Sequence, residues 1–278
     1  MAIPQRTLGR TGYSATILGL GGEGVLRTYG REREAQAVIE AALDEGINYF
    51  ETARAYSGSE AYLGLNLKGL RDKIFLTSKS HGRTFKEAMA HLTITLKNLD
   101  TDHLDLWQVH DIRSMEEVEA LSATGGALEA FHHARDRGWA RFIGITGHHD
   151  PEVLRRALQM FEFDTILLPV NPAEPYHASF LPLAKEAMDK GMGVIAMKTL
   201  CRGQLPQLAE EPDAIVGELL AYALSHPVTL AVVGADSPAQ VRQLAAAARN
   251  FISMTPEEQQ ALEEAVAPIA RQLMYYKP

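Results

Sequence analysis

The chain has 278 residues, 46% of them hydrophobic and 22% charged, with a formal net charge of −8. That balance suits a globular protein of one large or two smaller domains, and it excludes the broad basic face of a nucleic-acid binder. The single cysteine, Cys201, excludes an intrachain disulfide, and no apolar run approaches the roughly 20 residues of a membrane span.

The opening, MAIPQRTLGRTG, carries no apolar signal core, so the expected location is the cytoplasm. From there, short continuous apolar runs alternate with amphipathic stretches. Strands are expected at 15–21 (ATILGLG), 48–52 (NYFET), 73–79 (KIFLTSK) and 103–110 (HLDLWQVH). The second half adds 141–146 (RFIGIT), 164–170 (DTILLPV), 193–198 (GVIAMK) and 229–234 (TLAVVG). Runs without alternation are what a parallel sheet covered by helices requires. Helices are expected at 33–45, 84–99, 126–137, 151–160, 180–190 and 215–225. The stretch 84–99 is the clearest, with Phe85, Ala88, Leu92 and Leu96 at helical steps.

Three helices end in acidic-x-Gly and run straight into a strand: Asp44-Glu45-Gly46, Asp136-Arg137-Gly138 and Asp189-Lys190-Gly191. Glycine there can take the left-handed turn that stops a helix. Pro151 and Pro238 follow the capping residues Asp150 and Ser237, as proline in a first turn should. Eight strand signals alternating with helices, without a linker, predict a single-domain (β/α)8 barrel over residues 1–278. A doubly wound open sheet is the rival. The run Gly19-Leu20-Gly21-Gly22-Glu23-Gly24 is glycine-rich, but its spacing is not the G-x-G-x-x-G of dinucleotide-binding sheets.

Active groups of such barrels sit at the C-terminal ends of strands and in the loops after them. Glu51, Tyr56, Lys79 and His110 occupy those positions on three consecutive strands, which would aim them at one mouth. Trp107, inside a strand, reads as structural, and His132 and His133 as solvated. His81, His148 and His149 lack a metal-ligand spacing, and Cys201 lacks a nucleophile motif. The ending at 275–278 would either fold over the pocket or fray.

In RTLGRTGYSATILGLGG, GINYFETARAYSGSE, IFLTSK and DLWQVHD, then in GGALEAFHHARDRGWARFIGIT, LLPVN, LPLAKEAMDKGMGVIAMK and VVGADSPAQVRQL, the chain resembles the aldo-keto reductases over essentially its whole length. The resemblance implies an N-terminal β-hairpin, and a catalytic tetrad at Glu51, Tyr56, Lys79 and His110. Tyr56 would donate a proton to the carbonyl oxygen, and Lys79 beside it would lower the phenol's pKa. Glu51 would orient the lysine, and His110 the carbonyl. Glu51 departs from the family's aspartate by one methylene.

The resemblance also implies a cradle for a nicotinamide cofactor. Gly21 and Gly22 would belong to it, with Thr146 and His148 after the fifth strand and Asn171 after the sixth. Met197 and Lys198 at the seventh strand would continue it. Gly234, Asp236, Ser237 and Gln240 would complete it after the eighth. Thr146 and Gly147 stand where the family has Ser-Asn, Leu168 where it has glutamine, and Met197 where it has an aromatic. Family habit favours NADP(H). No basic residue lies between Gly234 and Arg242, and Asp236 would repel a 2′-phosphate, so NAD(H) is the alternative.

The expected partner is a small carbonyl or alcohol, such as an aldehyde, ketone or sugar, with no nucleic acid, membrane or metal. Loops at 25–30, 81–84 and 111–123 would shape its pocket. Two other functions stay open: transient redox during isomerisation, and a cofactor-binding sensor or scaffold with little turnover.

Overall fold

The computed structural model describes residues 1–208, 212–274, 276 and 277. A two-stranded antiparallel hairpin comes first, Gln5–Thr7 (β1) with Ser14–Thr16 (β2). The barrel strands are Leu18–Gly24 (β3), Tyr49–Glu51 (β4), Phe75–Ser80 (β5), Leu104–Val109 (β6), Ala140–Thr146 (β7), Thr165–Pro169 (β8), Gly193–Met197 (β9) and Leu230–Ala235 (β10). All pair in parallel and close in the order β10-β3-β4-β5-β6-β7-β8-β9. The doubly wound alternative is thereby excluded. The single expected strand at 15–21 is two elements, because the chain leaves the hairpin at Ile17 and enters the barrel at Leu18.

The helices of the first half are Glu32–Asp44 (α1), Ser59–Asn66 (α2), Phe85–Asn98 (α3), Met115–Ser122 (α4), Ala127–Asp136 (α5) and Pro151–Met160 (α6). Those of the second are Leu181–Asp189 (α7), Gln204–Leu208 (α8), Pro212–Ser225 (α9), Pro238–Arg249 (α10), Pro256–Val266 (α11) and Ala270–Leu273 (α12). Gly46, Gly138 and Gly191 take φ of 80°, 72° and 75°, ending their helices as the acidic-x-Gly pattern predicts. Asp150 and Ser237 cap α6 and α10. No helix among the described residues is long and apolar enough to cross a membrane.

Alternate residues of each strand face opposite ways. Leu20, Phe50, Leu76, Ile143 and Leu168 pack in the shell between barrel and helices. Trp107 joins them, fully buried and stacked on Phe131 at 3.8 Å between ring centroids. The barrel lumen is a second cluster, built on Tyr49, Phe75, Leu106, Ile195 and Leu230. The hairpin plugs its lower end with Leu8 and with Tyr13, whose ring lies 4.7 Å from Phe75. Higher in the lumen the filling turns polar. Thr77, Gln108 and Thr165 are fully buried, and Gly144 leaves them room, since a Cβ there would lie 2.3 Å from Thr165 Oγ1. Following Phe75 and Thr77 at two-residue steps brings Lys79 to the top of β5, as Leu106 and Gln108 bring His110 to the top of β6.

Candidate active site

The β4–β5 ladder outlasts β4 itself. Thr52 N–H donates to Thr77 O at 2.9 Å and Arg54 N–H to Lys79 O at 3.0 Å. The chain then turns, with Tyr56 N–H on Ala53 O at 2.9 Å. Arg54 forms an ion pair with Glu60, which is 1% exposed. The same carboxylate accepts from Ser78 Oγ (3.1 Å), Thr95 Oγ1 (2.6 Å) and Asn98 Nδ2 (3.1 Å). A buried charge is tolerated only when so fully bonded. This one fastens the Tyr56 loop to β5 and α3.

Glu51 and Lys79 are in direct contact as a buried ion pair. Lys79 Nζ also donates to Thr52 O at 2.9 Å and lies 4.7 Å from the centre of the Tyr56 ring. His110 stands edge-on to Tyr56, 5.9 Å between centroids. All four expected residues therefore meet at one mouth, and the extra methylene of Glu51 does not separate it from the lysine. Two glycines make that possible. Gly22 N–H donates to Glu51 Oε2 at 3.2 Å, and a Cβ on Gly21 would sit 3.5 Å from that oxygen. Gly21 and Gly22 thus cradle the carboxylate.

Burial dominates the titration of this group. It pushes the Tyr56 phenol above its ordinary range; Glu23 adds to the rise and Arg27 opposes it. No depression from Lys79 offsets that rise. Burial also pulls Lys79 and His110 well below their ordinary values. His110 is therefore neutral near pH 7, and its Nδ1 is buried without a hydrogen-bond partner.

A cavity of about 660 Å³ opens above these residues. Tyr56, His110 and His81 line one part and Glu23, Arg27, Lys198 and Arg202 another. Asp111, Arg113, His148, His149 and Tyr276 add a polar rim. Glu23 Oε1 is 2.8 Å from Arg27 and 3.6 Å from Lys198, and Glu23 Oε2 is 3.9 Å from Arg202. Asp111 pairs with Arg113 at 2.5 Å and with His148 at 2.8 Å. Those partners hold its carboxyl well below the ordinary range even though burial works the other way.

Of the expected cradle residues, His148 and Lys198 reach the cavity. Thr146 spends its hydroxyl on Asp111 N–H at 2.8 Å. Asn171 is buried, donating to Lys198 O and Tyr276 OH and accepting from Ala173 N–H. Met197 fills the upper lumen. Gly234 packs against the Glu23 backbone. At the start of α10, Gln240 accepts from Asp236 N–H at 2.7 Å and Ser237 Oγ from Gln240 N–H at 3.4 Å. Leu168, at the family's glutamine position, faces the helices; the lumen side of β8 is Leu167 and Pro169.

Glu23 and Arg202 are cavity residues that sequence reasoning missed. Glu23 was legible as the third inward position after Gly19 and Gly21. Arg202 is itself left-handed, between Cys201 and Gly203 of the same conformation, a turn that no sequence pattern announces. Cys201 is buried, its thiol pushed up to about 12 by burial. His133 is part-buried between Phe85 and Trp139 rather than solvated. Tyr275 and Pro278 lie outside the described residues, whereas Tyr276 lines the cavity. No group of three or more His, Cys, Asp or Glu among the described residues is arranged to hold a metal ion.

Residues 17–218 match the aldo/keto reductase family. L-galactose dehydrogenase of Arabidopsis thaliana is 26% identical over 303 aligned positions, covering 92% of each chain. A solved aldo-keto reductase of Pseudomonas aeruginosa superposes with a TM-score of 0.75 at 26% identity, over 89% of this chain and 95% of that one. One from Klebsiella pneumoniae, solved in complex with NADPH, gives 0.76 at 23% identity over 95% of both.

Proposed function

The chain belongs to the aldo/keto reductase family, and we propose on that premise that it reduces the carbonyl of a small molecule to an alcohol, or runs the reverse, with Tyr56 as the acid. The observation that carries this proposal is the Glu51–Lys79 pair set against the Tyr56 ring, with His110 beside it. Bound NADPH or NADH would supply the hydride. The residues present fit such a group: Tyr56 and His110 open on the cavity, and Lys198 and Arg202 offer cations to its phosphates on the β9 side. The NADPH in the Klebsiella relative supports NADP(H) over NAD(H).

Hydride arrival at carbon leaves negative charge on oxygen, and the Tyr56 hydroxyl transfers its proton there. Neutral His110 hydrogen-bonds the same oxygen and fixes its approach. Lys79 lies against the ring that becomes phenolate, and Glu51 holds the lysine in place. General acid catalysis contributes about 10²–10⁴-fold. Tyr56→Phe is therefore expected to lower carbonyl-dependent NADPH oxidation by at least about that range, with cofactor affinity measured by fluorescence titration nearly unchanged. Wild-type protein that binds NADPH yet turns over no aldehyde, ketone or sugar would favour the sensor function instead.

A further inference from the structure

Polar and charged residues dominate the described lining of the cavity. Ala55 is the one aliphatic side chain among its described lining residues. Four basic side chains, Arg27, Arg113, Lys198 and Arg202, face two carboxylates, Glu23 and Asp111. Both acids are already engaged, Glu23 by three cations and Asp111 by Arg113 and His148. The pocket therefore carries a positive surplus within a chain of net charge −8. A cleft lined by one sign of charge concentrates ligands of the other.

Of the four cavity cations, Arg27 is the one that lies over the Tyr56 ring. Its guanidinium lies 4.9 Å from the centre of the Tyr56 ring. The arginine follows β3 in a short 3₁₀ turn whose Val25 and Leu26 are buried, so its backbone is anchored while the side chain remains 41% exposed. Glu23, its partner, retains Lys198 and Arg202 if Arg27 turns to another anion. Planar guanidinium recognises carboxylate and phosphate oxygens bidentately.

Building on the reductase function above, we propose that the substrate is a short carbonyl compound bearing a carboxylate or phosphate, and that Arg27 binds that anion while the carbonyl meets Tyr56 and His110. Arg27 is then a specificity-determining residue. Lys198 and Arg202 lie on the β9 side, where they can serve the cofactor's phosphates.

Matched substrates test this: succinic semialdehyde against butyraldehyde, and glyceraldehyde phosphate against glyceraldehyde, each with saturating NADPH. The two anionic members distinguish carboxylate from phosphate. The wild type is expected to favour at least one anion by about tenfold or more in kcat/KM, a preference that shrinks with added salt. Arg27→Gln should bring the ratio toward one, mainly by raising KM for the anion, and Arg27→Lys should restore part of it. Equal use of charged and neutral partners by the wild type would overturn the proposal, as would an Arg27→Gln loss that falls equally on both. Succinate binding by calorimetry separates the two levels. Arg27-dependent binding without turnover of any carbonyl would sink the reductase function and leave the anion site standing. Absent binding with normal turnover of neutral aldehydes would sink the anion site alone.

Discussion

The raised pKa of Tyr56 has a direction-dependent consequence. Reduction consumes a protonated phenol, and oxidation of the alcohol needs the phenolate. A free tyrosine titrates near 10, and burial with Glu23 nearby moves Tyr56 above that while Arg27 opposes. The acid form therefore predominates throughout neutral pH. Reductive kcat is expected to show no loss attributable to this group from about pH 6 to about pH 9, whereas oxidative kcat should climb about tenfold per pH unit over the same range. Rate profiles in both directions at saturating cofactor check this. A reductive decline centred below about pH 9 would mean that the phenol ionises in or below its ordinary range, contrary to its burial.

At the level of elements, the active groups depend on how β3 approaches β4. A Cβ on Gly22 would lie 2.6 Å from Ser59 Oγ and 2.7 Å from Glu51 O. Gly22→Ala must push these strands apart, costing about 1–3 kcal/mol, and it disturbs the N–H that Glu51 accepts. The melting temperature should drop by roughly 2–4 °C per kcal/mol, and kcat should fall with it as the Glu51–Lys79 geometry loosens. Unchanged kcat would show that the glycine serves packing alone. This role was not legible in the sequence, where Gly21 and Gly22 read as part of a cofactor cradle. Strand ends and helix stops were legible because each is a local event: a buried run exhausted, or a glycine in a left-handed turn. Lys79 and His110 could be placed on that basis. The commitments of Asn171 and Thr146 to loops distant in sequence depend on tertiary pairing, which no local pattern carries. The short helices α2 and α4 escaped for a related reason, since their eight residues each span barely two turns of the helical period.

Across the whole molecule, the barrel separates stability from chemistry along its axis. Its lower end is closed by the hairpin, with Leu8 fully buried and Arg10 N–H on Gly191 O at 2.7 Å. The upper end holds Tyr56, Lys79, His110 and the charged cavity. Gly9 is the tightest joint of the lower end. It adopts φ +48°, and a Cβ on it would fall 2.2 Å from Gly193 N and 2.3 Å from Met192 C. Those neighbours are backbone and cannot rotate away. Gly9→Ala therefore combines left-handed strain with a collision against β9, and it should destabilise more than Gly22→Ala. Because conservation of stability and of catalysis belong to opposite faces of such barrels, the folded fraction at 25 °C should retain kcat/KM within about twofold. Melting curves and steady-state kinetics on both variants make the comparison. A Gly9→Ala protein that melts normally would mean the hairpin does not brace the barrel. One whose kcat/KM falls as far as that of Gly22→Ala would mean that strain at the plug reaches Lys79 and His110 through the polar layer of Thr77 and Gln108, and that the two ends are mechanically one.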